Sequence, residues 1–291
     1  MVEQVLVFGA RGYIGRVVSR LLSETKKLEP VGIFRRGEGY AIEVAGHVSE
    51  FESLESLGLF LKENSNAKTA INAAALTIKD DSFAAIKSLV DANVTLPALI
   101  AKVCKVAGVE RLVHFGTFST SMDGATPSPQ TFYAATKSAG YEALRYFATV
   151  GELKIVVLEP FDIYAADHPH GKIISALVES LEHGRELELS PGEQEMAPVH
   201  ALDVARSSIR ALKIELQSNF VVWSLAGPEI FSLRELVSEI GLALKKERNL
   251  DLIKFSKPYR ANEIMKVASR HSQFPETPRT RLRDGLFLPG L

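Results

Sequence analysis

The segment Val5–Gly15 reads VLVFGARGYIG, an apolar run followed by glycines at positions 9, 12 and 15. The apolar run predicts a buried strand, and the amphipathic pattern after it predicts a helix. Glycine permits the sharp turn between them and lets a pyrophosphate approach the N–H groups at the helix N-terminus. The segment therefore predicts a dinucleotide-binding turn. Its predicted cofactor-binding residues are Gly9, Arg11, Gly12, Tyr13, Ile14 and Gly15.

Composition limits the classes of partner. The 291 residues carry a formal net charge of -1 without a long block of like charges, so we expect neither nucleic acid nor an anionic membrane surface as a partner. The single cysteine, Cys104, excludes an internal disulfide and a cysteine-rich metal site, and the histidines lack metal-ligand spacing. Without a leader-like N-terminus or a long apolar run, the sequence predicts a cytoplasmic protein without a metal.

Strand-like apolar runs alternate with helical patterns over the first part of the chain. Strands are predicted at 5–8, 31–34, 69–73, 112–115 and 155–158, and helices near 13–24, 82–106 and 134–149. This alternation is typical of an α/β fold, a Rossmann-type doubly wound parallel sheet. We predict an NAD(P)-binding domain over residues 1–160 and a smaller C-terminal substrate-binding lobe over 161–291, from which a strand at 220–225 returns to the sheet. In this lobe, Asp203 and Ser232 are predicted helix N-caps.

The end of the second strand indicates which dinucleotide is used. An NAD site usually has an acidic side chain here for the ribose 2′-hydroxyl, but this chain has Arg35 and Arg36. Arginine can pair with a 2′-phosphate and stack on adenine. The two arginines therefore favour NADP(H) over NAD(H).

A tyrosine and a lysine lie four residues apart at the start of a predicted helix. Tyr133 and Lys137 would share one helical face, where a lysine ammonium lowers the pKa of a nearby phenol. The phenol could then exchange a proton as a carbonyl is reduced or an alcohol oxidised. Thr117 follows the predicted strand 112–115, and its hydroxyl would lie in the ligand crevice and hold the substrate oxygen.

Taken in order, these motifs resemble those of the extended short-chain dehydrogenase/reductase family. Further stretches fit the same family: Asn72-Ala-Ala-Ala75, Asp91-Ala-Asn93, Glu159-Pro-Phe-Asp-Ile-Tyr164 and Pro198-Val-His-Ala-Leu-Asp203. The resemblance implies that Tyr133 is the acid/base, that Lys137 binds ribose and tunes Tyr133, and that Thr117 orients the substrate. It further implies that Asn72, Ala73, Ala74, Pro160 and Phe161 contact the cofactor.

Within that family, the chain is most similar to nucleotide-sugar 4-ketoreductases. The similarity lies in Phe118-Ser119, Gly192-Glu-Gln194 and Arg260-Ala-Asn262. The 4,6-dehydratases of the family carry an Asp-Glu pair where this chain has Phe118-Ser119, which disfavours dehydration. The residues implied to contact a nucleotide-sugar substrate are Leu76, Thr117, Phe118, Asp162, Lys172 and Arg260.

The chain departs from those reductases where an Arg-Asp pair usually helps to hold the nucleotide diphosphate. Met196 and Ala197 occupy these positions, and Glu159 and Asp162 replace a frequent arginine and a frequent asparagine. Two other functions stay open: a nucleotide-sugar epimerase that retains NAD, and an NADP-binding sensor or scaffold without chemistry. The helices near 82–106 and 134–149 could form a homodimer interface or belong to the core.

Overall fold

The computed structural model describes residues 2–78, 80–169, 172–276 and 278–291. It divides into two compact units. The first unit comprises Met1–Thr117, Thr131–Glu159 and Ala205–Trp223, and the second comprises Phe118–Gln130, Pro160–Val204 and Ser224–Leu291. One boundary between the units lies between Glu159 and Pro160, and the predicted division into a cofactor domain and a substrate lobe stays a prediction. The chain also enters the second unit earlier, at Phe118, which the sequence did not indicate.

Fourteen strands are present in the described residues. In chain order they are β1 (Glu3–Phe8), β2 (Leu28–Arg36), β3 (Gly39–Val44), β4 (His47–Phe51), β5 (Thr69–Asn72), β6 (Arg111–Phe115), β7 (Lys154–Pro160), β8 (Ile163–Tyr164), β9 (Leu187–Glu188), β10 (Glu195–Met196), β11 (Val199–His200), β12 (Phe220–Leu225), β13 (Phe231–Ser232) and β14 (Ile253–Lys254).

Nine α-helices accompany them in the same part of the chain. They are α1 (Tyr13–Ser23), α2 (Leu54–Asn64), α3 (Phe83–Val90), α4 (Leu96–Val106), α5 (Phe132–Gly151), α6 (Ile173–His183), α7 (Ala201–Ala211), α8 (Leu233–Leu244) and α9 (Leu282–Gly285).

Eight strands form the main sheet in the order β12-β7-β6-β5-β1-β2-β3-β4. Strands β7, β6, β5, β1 and β2 pair in parallel, which confirms the predicted Rossmann-type sheet and all five of its predicted strands. The predicted strand at 220–225 lies at the β7 edge as β12. Val5–Phe8 of β1 are all buried, as expected for a central strand with both faces covered.

The other edge of the sheet is antiparallel, which the sequence analysis did not indicate. Strands β2, β3 and β4 pair antiparallel as two successive hairpins. Gly37 opens the first turn with φ +59°, and Ala45 and Gly46 both have positive φ in the second. Two such residues favour a tight hairpin whose twist matches that of the strands. The sequence signal was weak because the second turn begins with alanine instead of asparagine.

One long helical run continues from α3 through a π-helical turn, Asp91–Thr95, into α4. Within the described residues, this run, Phe83–Val106, is the one helix that could cross a membrane by length and composition. A helix in the core of a soluble protein passes the same test, and α4 packs against α2 and α5. It is therefore weak evidence for a membrane, and the expected lack of a membrane partner stays a prediction.

The second unit has a core of its own, formed mainly by α6, α8 and α9. Ser232 caps α8 as predicted, with its hydroxyl and the Glu235 side chain forming a capping box. The predicted Asp203 N-cap is wrong, because α7 begins at Ala201. The Asp203 carboxylate instead accepts hydrogen bonds from the backbone N–H groups of Arg279 and Thr280.

The β3–β4 turn generates a prediction for stability. Ala45 has φ +49°, a left-handed conformation that costs a side chain with a Cβ about 1 kcal/mol. Asn-Gly is the preferred pair for such a turn, so Ala45→Asn should raise the free energy of unfolding by about 0.5–1 kcal/mol. Urea unfolding followed by circular dichroism measures the change. Ala45→Val is the control, and we expect it to be destabilised; an Asn variant no more stable than the wild type would contradict the prediction.

Candidate active site

The glycine turn packs against the loop that follows β5. Gly9 has φ +78°, and a Cβ at this position would lie 2.6 Å from the backbone nitrogen of Ala74. A Cβ on Gly15 would clash with the Gly9 carbonyl oxygen, so both positions require glycine. Gly12 is the N-cap residue of α1 and supplies no side-chain cap. The turn at the N-terminus of α1 fits a dinucleotide pyrophosphate.

Asn72 fixes the loop next to that turn. Its Oδ1 accepts from the Ala74 backbone N–H at 3.0 Å, and its Nδ2 lies 3.0 Å from Nδ1 of His114. Because an amide nitrogen donates, Nδ1 of His114 is the acceptor and the ring proton lies on Nε2. Nε2 has no partner among the described residues, and burial together with the Lys137 charge holds the pKa of His114 well below its usual value. His114 is a neutral group of the site that the sequence analysis missed.

Three arginines lie near the end of β2. The Arg11 guanidinium stacks on the Phe34 ring at 3.6 Å and lies 3.7 Å from Glu43. Arg36 forms an ion pair with Glu50 at 3.0 Å. Arg35 is exposed and has no ion-pair partner in the part of the chain that the structure describes. Of the three cations, Arg35 is therefore the one whose charge is not already matched.

Lys137 and Thr117 are brought to one place by α5. Thr131 caps this helix by accepting from the Ala134 N–H at 3.2 Å, which puts Tyr133 in the first turn and Lys137 one turn later. Lys137 is 1% exposed, and its ammonium donates to the Phe115 carbonyl oxygen at 2.6 Å. Phe115 ends β6, and Thr117 follows two residues later with 8% exposure. Lys137 and Thr117 thus lie at the same end of β6, and Tyr133 precedes Lys137 by one turn of α5.

The expected lowering of the Tyr133 pKa by Lys137 is not found. Burial raises the pKa of Tyr133 to about 12. Burial also lowers the pKa of Lys137 to about 7, and its ammonium is directed at the Phe115 carbonyl. The phenol is consequently protonated throughout the neutral range, a state suited to donating a proton rather than accepting one.

Leu76 is held in place by an asparagine that we did not assign to the site. Asn93, in the π-helical turn, accepts from the Leu76 N–H and donates to its carbonyl oxygen at 3.1 Å. It also lies 3.2 Å from the Thr136 hydroxyl, next to Lys137 in the chain. A Cβ at Gly140 would clash with the Asn93 carbonyl oxygen, so the close contact with α5 needs this glycine. A π turn is frequent at functional sites but has no clear sequence pattern.

The remaining predicted residues belong to the second unit. Phe118 and Phe161 stack with their ring centroids 4.6 Å apart, and the Asp162 carbonyl oxygen accepts from the Val199 N–H at 2.9 Å. Lys172 is the N-cap residue of α6, and Lys172 and Arg260 are both exposed. Within the described residues neither forms an ion pair, so their charges are available to an anion. Pro160 is buried, and its predicted cofactor contact stays a prediction.

This fold, with a glycine turn after β1 and a tyrosine and lysine on α5, defines a Rossmann-type enzyme that uses a nicotinamide dinucleotide. The chain belongs to the NAD dependent epimerase/dehydratase family, whose model matches residues 5–222. It is an NAD(P)-dependent enzyme of the sugar-nucleotide oxidoreductase type. The predicted family resemblance is thereby confirmed.

Known relatives cover nearly the whole chain. CDP-abequose synthase of Yersinia pseudotuberculosis is 25% identical over 265 residues, which are 90% of either protein. UDP-glucose 4-epimerase of Thermotoga maritima, solved with UDP-glucose, is 18% identical with a TM-score of 0.79, over 99% of this chain and 97% of that one. The dTDP-glucose 4,6-dehydratase DesIV of Streptomyces venezuelae, solved with NAD, is 19% identical with a TM-score of 0.75, over 97% and 94%. These structures confirm the fold class.

The buried ammonium predicts a pH-dependent stability. The pKa of Lys137 is about 7 in the folded chain against an ordinary 10.5, so between these values the unfolded chain binds more protons. Above pH 7, the free energy of unfolding of the wild type should therefore rise with pH relative to that of Lys137→Met, by at most about 1.4 kcal/mol per pH unit. Below pH 7 the difference between the two proteins should not change in this way. Urea unfolding of both proteins at pH 6 to 9 measures it.

The exposed Lys102→Met is the matched control for loss of a lysine charge, and its stability curve should run parallel to that of the wild type. Parallel curves for the wild type and Lys137→Met would show that the ammonium is not destabilised by burial.

Proposed function

We propose that the protein reduces the 4-keto group of a nucleotide-linked 6-deoxyhexos-4-ulose with NADPH. The observation that carries the proposal is the position of Tyr133 one helical turn before the buried Lys137 on α5. A hydroxyl that keeps its proton at neutral pH suits the donor required by a reduction. Phe118 and Ser119 stand where the dehydratases of the family carry an acidic pair, which disfavours the elimination of water.

Three residues, Tyr133, Thr117 and Lys137, would each have a separate role in the proposed reduction. Bound NADPH supplies a hydride to the keto carbon. Tyr133 donates its hydroxyl proton to the oxygen that becomes the alcohol, and solvent returns a proton to Tyr133. Thr117 donates a hydrogen bond to the same oxygen and orients it, and Lys137 binds ribose hydroxyls. One keto group, one NADPH and one proton thus give one alcohol and one NADP⁺.

The preference for NADPH rests on the arginines at the end of β2. Arg35 has no ion-pair partner among the described residues and can form charge-assisted hydrogen bonds with a 2′-phosphate. Arg11, which lies on the Phe34 ring, is the second candidate, and Arg36 is engaged by Glu50. The DesIV relative was solved with NAD, so the proposed preference is argued from this chain's own residues alone.

The substrate class follows from the relatives and from two cations. CDP-abequose synthase, UDP-glucose 4-epimerase and dTDP-glucose 4,6-dehydratase are all named for nucleotide sugars or their products. Exposed Lys172 and Arg260 in the second unit are the proposed diphosphate ligands, since Met196 and Ala197 offer no charge. Leu76, Phe118 and Asp162 are proposed to contact the sugar.

An epimerase that retains NAD is the second candidate, favoured by the solved epimerase structures of similar fold. It would interconvert two nucleotide sugars without net change in the cofactor. A sensor or scaffold without chemistry is less favoured, because Thr117, Tyr133 and Lys137 are all present and all belong to the first unit.

We also propose a homodimer in the cytoplasm. Several apolar side chains on α3, α4 and α5 are exposed, as an interface would require: Phe83, Val90, Leu99, Phe132 and Val150.

Replacing the proton donor tests the proposed reaction. Tyr133→Phe removes one hydroxyl and should lower kcat by about 10²–10⁴-fold, while the Kd for NADPH changes little. The measurement is the oxidation of NADPH with CDP- and dTDP-linked 4-keto-6-deoxy sugars. Tyr146→Phe is the matched control, because Tyr146 is exposed on the same helix. Interconversion of nucleotide sugars with no net NADPH oxidation would instead support the epimerase.

Replacing Arg35 tests the cofactor preference. Arg35→Ser should weaken NADPH binding by about 10–100-fold, equivalent to a lost hydrogen bond between charged groups, and leave NADH binding nearly unchanged. Fluorescence titration with the two cofactors measures the ratio. Arg36→Ser should have a smaller effect because Glu50 already engages that side chain. Equal losses for NADPH and NADH would contradict the assignment to the 2′-phosphate.

A further inference from the structure

A second tyrosine on α5 contacts the main chain at Thr117. Tyr141 lies two turns after Tyr133 and one turn after Lys137 on the same helical face, and it is 2% exposed. Its hydroxyl oxygen lies 3.2 Å from the backbone nitrogen of Thr117. None of the functions described above uses Tyr141.

Gly116 makes that contact possible. A Cβ at this position would clash with the Tyr141 hydroxyl, and it would lie 3.0 Å from a Val157 methyl group. The absence of a Cβ at Gly116 therefore lets the Tyr141 hydroxyl reach the backbone nitrogen of Thr117. With the Lys137 bond to the Phe115 carbonyl oxygen, α5 holds the chain on both sides of Gly116.

Glu159 sets the direction of this hydrogen bond. It is 1% exposed, it is the penultimate residue of β7, and its Oε1 lies 2.9 Å from the Tyr141 hydroxyl. The phenol has a single proton, and the carboxylate can only accept it. The Tyr141 oxygen is then left as the acceptor for the Thr117 N–H, and the chain of bonds runs from Thr117 through Tyr141 to Glu159. A hydrogen bond to a charged acceptor strengthens its neighbour in such a chain.

We propose that Tyr141 and Glu159 are positioning residues that hold the Thr117 main chain so that its hydroxyl meets the substrate oxygen. The inference rests on the proposed role of Thr117 in ketone reduction. A small displacement of a group that orients the reacting atoms can cost about 10²-fold in rate. A merely structural tyrosine would affect stability without a specific loss of kcat.

The test begins with Tyr141→Phe, which removes the acceptor for the Thr117 N–H and keeps the ring. We expect kcat for ketone reduction to fall by about 10–100-fold while the KM of the sugar and the Kd of NADPH change less than about three-fold. Tyr146→Phe, the exposed match on the same helix, should leave all three unchanged. An unchanged kcat in Tyr141→Phe would overturn the proposal.

Two further variants separate positioning from stability. When Thr117 is already replaced by alanine, adding Tyr141→Phe should lower kcat further by less than about two-fold, because the effects of coupled residues are not additive. Full additivity would overturn an effect through Thr117. Glu159→Gln keeps an acceptor for the phenol and should lose less kcat than Tyr141→Phe; a larger loss would overturn the role assigned to Glu159.

Amide exchange of Thr117 needs no substrate and separates this inference from the proposed function. In the NMR spectrum, Tyr141→Phe should accelerate exchange of the Thr117 amide hydrogen and shift its resonance, and Tyr146→Phe should do neither. An unaltered Thr117 amide would overturn the positioning role whatever the activity. A different result would contradict the proposed function. If the Thr117 amide responds to Tyr141→Phe but Tyr133→Phe leaves turnover intact, then Tyr133 is not the proton donor. Tyr141 would then still hold the Thr117 backbone, but not for the proposed reduction.

Discussion

The buried ammonium of Lys137 is the constraint on which the arrangement of the first unit depends. A charge with 1% exposure needs a strong acceptor, and the carbonyl oxygen at the end of β6 provides it at 2.6 Å. That bond fixes α5 against the C-terminal end of the sheet, and the same helix carries Tyr133 and Tyr141 on the face so presented.

Small residues allow the polar groups to approach one another. Gly9 and Gly15 let the first turn close onto the loop after β5, and Gly116 lets a phenol reach the backbone of Thr117. Gly140 plays the same part for the carbonyl group of Asn93. In each case a main-chain atom or a polar side-chain atom occupies the space that a Cβ would need. The geometry of the candidate site therefore depends on these glycines as well as on its polar side chains.

The sequence predicted the five central strands, the glycine turn and the Tyr133/Lys137 spacing, because each depends on neighbours close in the chain. It did not predict the β2–β3–β4 hairpins, since Ala45 adopts a left-handed conformation that alanine rarely takes. Tyr141, Glu159 and His114 were also missed. Their partners lie 18 to 42 residues away in the chain, and local patterns contain no information on such pairs. The spacing of four from Tyr133 to Lys137 to Tyr141 was the one available signal for Tyr141.

The π-helical turn at Asp91–Thr95 restricts how this chain can vary in length. An α-helix advances about 100° per residue, so removing one residue between Val90 and Leu96 would turn the helix before it relative to the helix after it. Asn93 could then no longer face both the Leu76 backbone and the Thr136 hydroxyl. A single-residue deletion here would preserve the helix and its apolar character and still disconnect the loop after β5 from α5. The π-helical turn thus fixes the number of residues between α3 and α4 as well as their conformation.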